Sequence, residues 1–556
     1  MGITALINKY TPTKKTEDLK EYFNISSDDE VALIVNNELS DYKAKIIDKK
    51  IYVDYKFVHD SLNSRFYWDA NENVLLYTTA SDIISAAADS NSYSVTKQTN
   101  DFGYPIVKAT SDSALIALDY VKQYSNITFK SYDDPARIVI TSKWDEIDSA
   151  TVSKSTQVRV KGGIKSPILK EVKKDDKITI LDSGDKWDKV ATEDGVIGYI
   201  KRKALSESKK TKLTNPDYEE ETFTHIKKDK DICLAWNQVT SQSANSKVPQ
   251  VISSTKGINV MSPTWFYLND NNGNLADIAS KDYVSYCHSQ GIEVWGLFSN
   301  LENTDVDAAY VLTHTSTRTT LINQIMSAAF NYELDGVNID FENITEAAYG
   351  DSYIEFIREL SIKCHNNGIS LSVDVTVPAS FNKFFNRSDM AKFADYIVIM
   401  GYDEHYKGSD AGSVSSIPWV TEGVESTLKE VPADQIILGM PFYTRIWELT
   451  PKEDDDAVTD TEDQSKYTVA SQVYSMDAAA AQLATNNATA ALDEESGQNY
   501  AEWSVSNKLY KVWLEDTTSL EKRLKLVDDN KLAGAAFWKL GFENSSVWDT
   551  VIKYLD

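Results

Sequence analysis

The segment DGVNIDFE, residues 335–342, places an amide and two carboxylates at alternate positions. A β-strand turns successive side chains to opposite faces, so Val337, Ile339 and Phe341 share one face and Asn338, Asp340 and Glu342 the other. A polar row set among apolar runs is costly to bury unless chemistry uses it. Glu342 ends the row. A carboxyl in a partly desolvated site holds its proton to higher pH, as a general acid requires, and Asp340 one step below can modulate it. The competing reading is a buried polar network that only orders a core. Cys233, Cys287 and Cys364 lie in no zinc-type spacing and the histidines form no HExxH pattern, so no metal or cofactor is expected.

The elements that would position this row recur along the C-terminal part of the chain. From Asp231 onward the apolar runs ICLAW, GINVMSP, IEVWGLF, GVNIDF, ISLSVDV, YIVIMGY, IILGMPF and GAAFW alternate with amphipathic segments. One of these is SYIEFIRELSIKCHNN, where Ile354, Ile357, Leu360 and Ile362 approximate one face. This order predicts a C-terminal α/β (TIM) barrel over residues 228–556, with Glu342 at the C-terminal rim where barrel chemistry occurs. The region is longer than the roughly 250 residues such a barrel needs. An insertion before the eighth strand, residues 446–515, accounts for the surplus. It runs through KEDDDAVTDTED, read as a solvated loop without the ligand spacing of a calcium site.

DGVNIDFE resembles the DGxDxDxE signature of glycoside hydrolase family 18, the family of chitinases and related N-acetylglucosaminidases. Met400-Gly401-Tyr402-Asp403 is similar to the family's MxYD after its sixth strand. Met440 to Arg445 resembles the seventh-strand substrate wall, and Trp538 stands where the eighth strand supplies a ring beneath the sugar. NIDFE together with MPFYTRIW resembles the bacterial branch that holds spore-cortex and cell-wall enzymes. The resemblance implies that Glu342 protonates the glycosidic oxygen, Asp340 orients the substrate's acetamido group and Tyr402 donates to it. The N-acetyl carbonyl would then attack the anomeric carbon with retention. Asp403 and Arg445 would contact the polymer and Trp538 would stack on the sugar, with Asp335, Asn338, Met400 and Tyr443 completing the substrate-binding set. Asn338 replaces the first aspartate of the family's core, exchanging a carboxylate for an amide able to bond Asp340 and placing the pH profile in question. Trp236, Trp265, Trp295, Trp419 and Trp447 are further stacking candidates, each weighed against an ordinary core role.

The implied substrate is an N-acetylglucosamine-containing polysaccharide, with peptidoglycan preferred over chitin or an N-glycan. A non-catalytic carbohydrate-binding surface protein is the alternative of another class. The N-terminal sequence favours the wall. Residues 1–27 read as a flexible leader and 28–150 as an α+β module with a weak internal repeat at 63 positions, resembling the stalk domain of copper amine oxidases. Residues 152–206 resemble a bacterial SH3 domain, a small all-β barrel, through Val158-Arg159-Val160, Trp187 with Val190, and Gly198-Tyr199; residues 207–227 read as a linker. Lys154–Lys212 carries 16 basic and 9 acidic residues inside a chain of net charge −27, so its excess positive charge suits an anionic wall polymer. The overall acidity argues against nucleic acid as a partner. No apolar run reaches the roughly 20 residues of a membrane span, and a secreted or cell-surface location is expected from the substrate.

Overall fold

The structure, a computed structural model, describes residues 10–342, 344, 347–452 and 463–555. The chain divides into two compact units, Met1–Thr222 and Phe223–Asp556.

The second unit is built on eight parallel strands: β1 (Ile232–Asn237), β2 (Val260–Leu268), β3 (Glu293–Ser299), β4 (Gly336–Asp340), β5 (Ser370–Thr376), β6 (Tyr396–Met400), β7 (Ile436–Pro441) and β8 (Gly534–Trp538). They neighbour one another in the order β1-β8-β7-β6-β5-β4-β3-β2, and β1 pairs with β2 to close the ring. This is the expected TIM barrel. Strands covered on both faces read as continuous apolar runs, and their alternation sorts two cores. Ile232, Leu234 and Trp236 pack inside the ring with Trp295, Leu297, Tyr396 and Val398. Cys233 and Ala235 pack outside it, with Val337, Ile339 and the helix Ala347–His365. Above the apolar interior layer, Ser262, Asn338, Ser372 and Asp374 are buried polar residues. Gly336 opens β4 because a Cβ there would stand 2.5 Å from the Trp295 ring.

Between β7 and β8 the chain forms a five-stranded antiparallel sheet from Tyr443–Pro451, Tyr467–Ser475, Ala491–Asp493, Gln498–Val505 and Lys508–Leu514. This is the surplus expected at 446–515. The acidic stretch expected as a loop lies, from 453 to 462, outside the described residues.

In the first unit, the strand Lys50–Asp54, a short helix and the hairpin Phe66–Asp69/Val74–Thr78 follow one another. The strand Ala114–Ala117, the helix Leu118–Gln123 and the hairpin Thr128–Tyr132/Arg137–Thr141 have the same order. Phe66 faces Tyr77 and Phe129 faces Ile140, equivalent registers 63 positions apart. The region read as SH3-like is a seven-stranded antiparallel sheet that includes Glu146–Thr151 and Lys209–Lys212 at one side.

Two boundaries are corrected. Residues 10–27 pack against the unit instead of forming a free leader. Phe23 is buried with Ala32, Ile34 and Val190, and the Tyr22 hydroxyl donates to the Ile197 carbonyl at 2.6 Å. The cause is the apolar cluster Leu19, Tyr22 and Phe23 inside an otherwise polar stretch; residues 1–9 lie outside the described residues. The segment 207–227 is likewise not one linker. Lys209–Lys212 completes the sheet of the first unit, whereas Phe223 packs edge-on to Phe393 at 5.0 Å and the Ile226 amide donates to Asp395 at 2.6 Å in the second.

Candidate active site

Strand β4 carries its polar row up the inside of the ring. Asn338 is fully enclosed. Its Oδ1 accepts from Trp236 Nε1 at 3.0 Å and Ser262 Oγ at 2.9 Å, while Nδ2 donates to Ser372 Oγ at 3.1 Å and Asp374 Oδ1 at 2.7 Å. An indole N–H can only donate, which fixes the orientation of the amide, and four bonds exhaust its capacity. The bond from Asn338 to Asp340 anticipated from sequence is therefore not formed; the amide turns to β5 instead.

One level higher, Asp340 and Glu342 open into a cleft of about 510 Å³ whose walls include Trp236, Asp374, Tyr402 and Trp538. Burial, joined by the charges of Asp374, Glu342 and Glu302, pushes the Asp340 carboxyl well above the ordinary range. Glu342 stands at the solvent edge of the cleft, its amide donating to Asn300 Oδ1 at 3.1 Å. Desolvation of its carboxyl by the cleft wall, then the negative charges of Asp403 and Glu302, raise its pKa. Both shifts have the sign that keeps a proton available to a leaving group.

Met400 and Tyr402 enter from the end of β6, and the Tyr402 ring lies edge-on to Trp236 at 6.4 Å between centroids. Trp538 meets Trp236 at 6.0 Å, so two indoles and a phenol converge on the cleft floor. Asp403 lines the wall. Behind it the Tyr443 hydroxyl donates to Asp403 Oδ1, and Arg445 Nη2 approaches the same oxygen at 3.9 Å while Nη1 donates to Ser471 at 3.1 Å. Tyr443 and Arg445 thus meet the cleft through Asp403, and burial beside that carboxylate raises the Tyr443 pKa well above its usual value.

Asp335 is a correction. It precedes β4 at the opposite end of the ring, where Oδ2 accepts from His288 Nε2 and the Val294 amide, both at 2.8 Å. Five strand positions at about 3.3 Å each set it roughly 16 Å from Asp340, so it fastens the entry to the strand and touches no ligand in the cleft. Among the tryptophans, Trp236 and Trp419 line the cleft. Trp265, Trp295 and Trp447 are core residues whose N–H groups donate to Asn245, Glu293 and the Gly412 carbonyl.

Sequence reasoning missed Asp374 and Thr376 on β5, and the rim aromatics Phe381 and Tyr406, which are 78% and 57% exposed. A signal for the first pair exists: SLSVDVT alternates Ser370, Ser372, Asp374 and Thr376 with Leu371, Val373 and Val375, the same polar row as on β4. Among the described residues no cluster of histidine, cysteine and carboxylate side chains is arranged to hold a metal.

Comparison with known proteins agrees with this geometry. The family model of glycosyl hydrolases family 18 matches residues 298–543. The chain is 24% identical over 302 residues to the uncharacterized glycosylase YvbX of Bacillus subtilis, covering 51% of this chain and 81% of that protein. It is also 24% identical over 287 residues to the cortical fragment-lytic enzyme of the same organism, covering 50% and 63%. Among solved structures, the spore cortex-lytic enzyme SleL of Bacillus cereus superposes with a TM-score of 0.51 at 18% identity, covering 59% of this chain and 74% of that one. The chitinase of Chromobacterium violaceum gives 0.50 at 20% identity, covering 58% and 98%. With a closed eight-stranded ring and the carboxyls at the end of its fourth strand, residues 298–543, from the end of β3 past β8, form a family 18 glycoside hydrolase domain.

Proposed function

We propose that this protein hydrolyses β-1,4 bonds beside N-acetylglucosamine in peptidoglycan, with Glu342 as proton donor and the substrate's own acetamido oxygen as nucleophile. The observation that carries the reading is the placement of Asp340 at the end of β4 and Glu342 two residues beyond it, opening into one cleft beside Tyr402. Two carboxyls on the same side of a bound sugar do not supply an acid and an opposing nucleophile, so the attacking atom comes from the substrate. Asp340 accepts from the acetamido N–H, Tyr402 donates to its carbonyl, and Trp538 and Trp236 provide an apolar floor for the sugar face. Glu342 gives its proton to the departing oxygen and afterwards takes one from water.

The preference for peptidoglycan rests on the cortex-lytic relatives and on the first unit. There, a groove of about 560 Å³ is lined by Trp187, Lys186, Lys201, Arg202 and Lys203 with Asp185 as its one acid. A cationic groove around an indole suits an anionic wall polymer, and such a substrate places the protein outside the cell or at its surface. The test compares the parent with Glu342→Gln on muropeptide-bearing glycan and on chitooligosaccharides. A positioned acid contributes about 10²- to 10⁴-fold, so the variant should lose at least a hundredfold in kcat. A variant as fast as the parent refutes the assignment, and so does initial release of the inverted anomer. A parent that binds both glycans and cuts neither favours the non-catalytic reading, and one that cuts only chitooligosaccharides moves the substrate to chitin.

A further inference from the structure

Two buried acceptor atoms in the cleft lack a donor. Asp340 Oδ1 and Asp374 Oδ2 are both enclosed and find no hydrogen-bond partner among the described residues. They come from neighbouring strands. The parallel register pairs Asn338 with Ser372 and Ile339 with Val373, so the next step sets Asp340 beside Asp374, about 4.8 Å away at the backbone, with both side chains in the cleft wall. Asn338 uses its remaining N–H on the other oxygen of Asp374, so Oδ2 is the oxygen left without a donor. An ionised carboxylate only accepts, so two such oxygens on adjacent residues of neighbouring strands leave a donor missing that one proton would supply.

We propose that Asp374 shares a single proton with Asp340 across β4 and β5 and is the positioning residue that fixes the orientation and charge of Asp340. The inference rests on the proposed function for its catalytic consequence only; the shared proton itself is a property of the protein without substrate. The pair carries one negative charge, on Asp340, and the hydrogen on Asp374 points that charge toward the cleft. The carboxylate beside Asp340 thus comes from the adjacent strand, while position 338 below it is an amide. The groups facing the pair are Glu342 just after β4, Glu302 after β3, Tyr353 from the helix behind β4, and Tyr402 after β6. Burial raises both aspartates, and none of these neighbours carries a positive charge that would reverse the direction.

The sign follows from linkage. Both aspartates ionise near pH 4 in the unfolded chain, whereas the folded pair keeps one proton. Above that pH unfolding releases this proton, and its contribution to the unfolding constant grows tenfold per pH unit until the folded pair loses it. Denaturant unfolding of the full chain, followed through tryptophan emission at pH 5, 6, 7 and 8, compares the parent with Asp374→Asn. The variant is expected to lose this slope, so its stability relative to the parent rises with pH. A relative stability that stays constant with pH marks a merely structural hydrogen bond and overturns the proposal. Asp340→Asn removes the other half of the pair and should erase the same slope; retention of the slope there overturns it equally. The catalytic half is read from kcat against pH: Asp374→Asn should move a limb of the profile by about one unit or more, and a profile that overlays the parent's overturns the positioning role. A parent that cleaves no N-acetylglucosamine polymer while the unfolding slopes differ as expected refutes the proposed function and leaves the shared proton supported.

Discussion

Replacing Asn338 with leucine tests whether the buried polar layer is held together by that one amide. Leucine is close in volume, so the change removes bonds and leaves little cavity. Of the four partners, Ser372 Oγ retains its contact with the Val337 carbonyl at 3.3 Å. Trp236 Nε1, Ser262 Oγ and Asp374 Oδ1 are left without a partner in an enclosed site. A buried polar group stripped of its partner costs about 1–3 kcal/mol, and three neighbours relax together, so a loss of about 3–5 kcal/mol is expected. That is a large share of the about 5–15 kcal/mol that holds a typical domain. Denaturant titration should show a lower midpoint at unchanged slope. Asn338→Asp separates hydrogen bonding from charge. It keeps both acceptor contacts, loses both donors and sets a carboxyl 2.7 Å from Asp374. Its pKa is raised on folding, so its stability is fullest below about pH 4 and falls as the pH climbs through the folded value. A leucine variant within about 1 kcal/mol of the parent, or an aspartate variant whose deficit does not grow with pH, refutes the argument.

Because burial and the charges of Asp403 and Glu302 raise Glu342, the acid keeps its proton above the usual glutamate range near 4.3. The rate at saturating substrate should fall as pH rises through that raised value, and a profile that already falls near pH 4 to 5 contradicts the assigned donor. Phe381→Ala and Trp419→Ala remove rings from the cleft rim and wall without touching the carboxyls. Each should raise KM on polymeric glycan about five- to thirtyfold, the worth of about 1–2 kcal/mol of stacking, with a smaller effect on a disaccharide substrate; equal changes on both substrates would place neither ring along the polymer.

The barrel was legible because its signal is repeated. Eight apolar runs with helical spacers leave few topologies, and each run appears as a strand with one row inside the ring and one outside. Asp340 and Glu342 were legible from alternation toward the end of one strand, whereas Tyr402, Asp403 and Trp538 were legible only through the motifs that resemble the family's; all five meet because strand ends on one side of a closed ring converge. Asp335 shows where this logic fails. It belongs to the same short segment as Glu342, but a strand carries its two ends to opposite faces of the barrel, and adjacency in sequence became separation in space. The leader failed through composition, since the few apolar side chains that anchor it are diluted among charged ones.

The role of Asp374 shows what a segment-by-segment reading leaves out. Within β5 alone, Ser370, Ser372, Asp374 and Thr376 form an unremarked polar alternation. Within β4 alone, Asn338 is a buried amide. Only the pairing of the strands turns the two facts into one, because the register sets Ser372 opposite the amide and Asp374 one inward-facing step above it, within reach of Asn338 Nδ2 at 2.7 Å. An aspartate at 338 would be acceptor-only toward Asp374, two carboxylates confined with Asp340 in one desolvated layer, a cost that burial magnifies. The amide contributes donors instead and leaves a pair of carboxylates that one proton can balance. Asn338 and Asp374 therefore act as one hydrogen-bonded unit. Asn338→Asp should be tolerated far better together with Asp374→Asn than alone, an interaction energy that a double-mutant cycle on stability measures directly. Additive effects of the two substitutions would break the link between them.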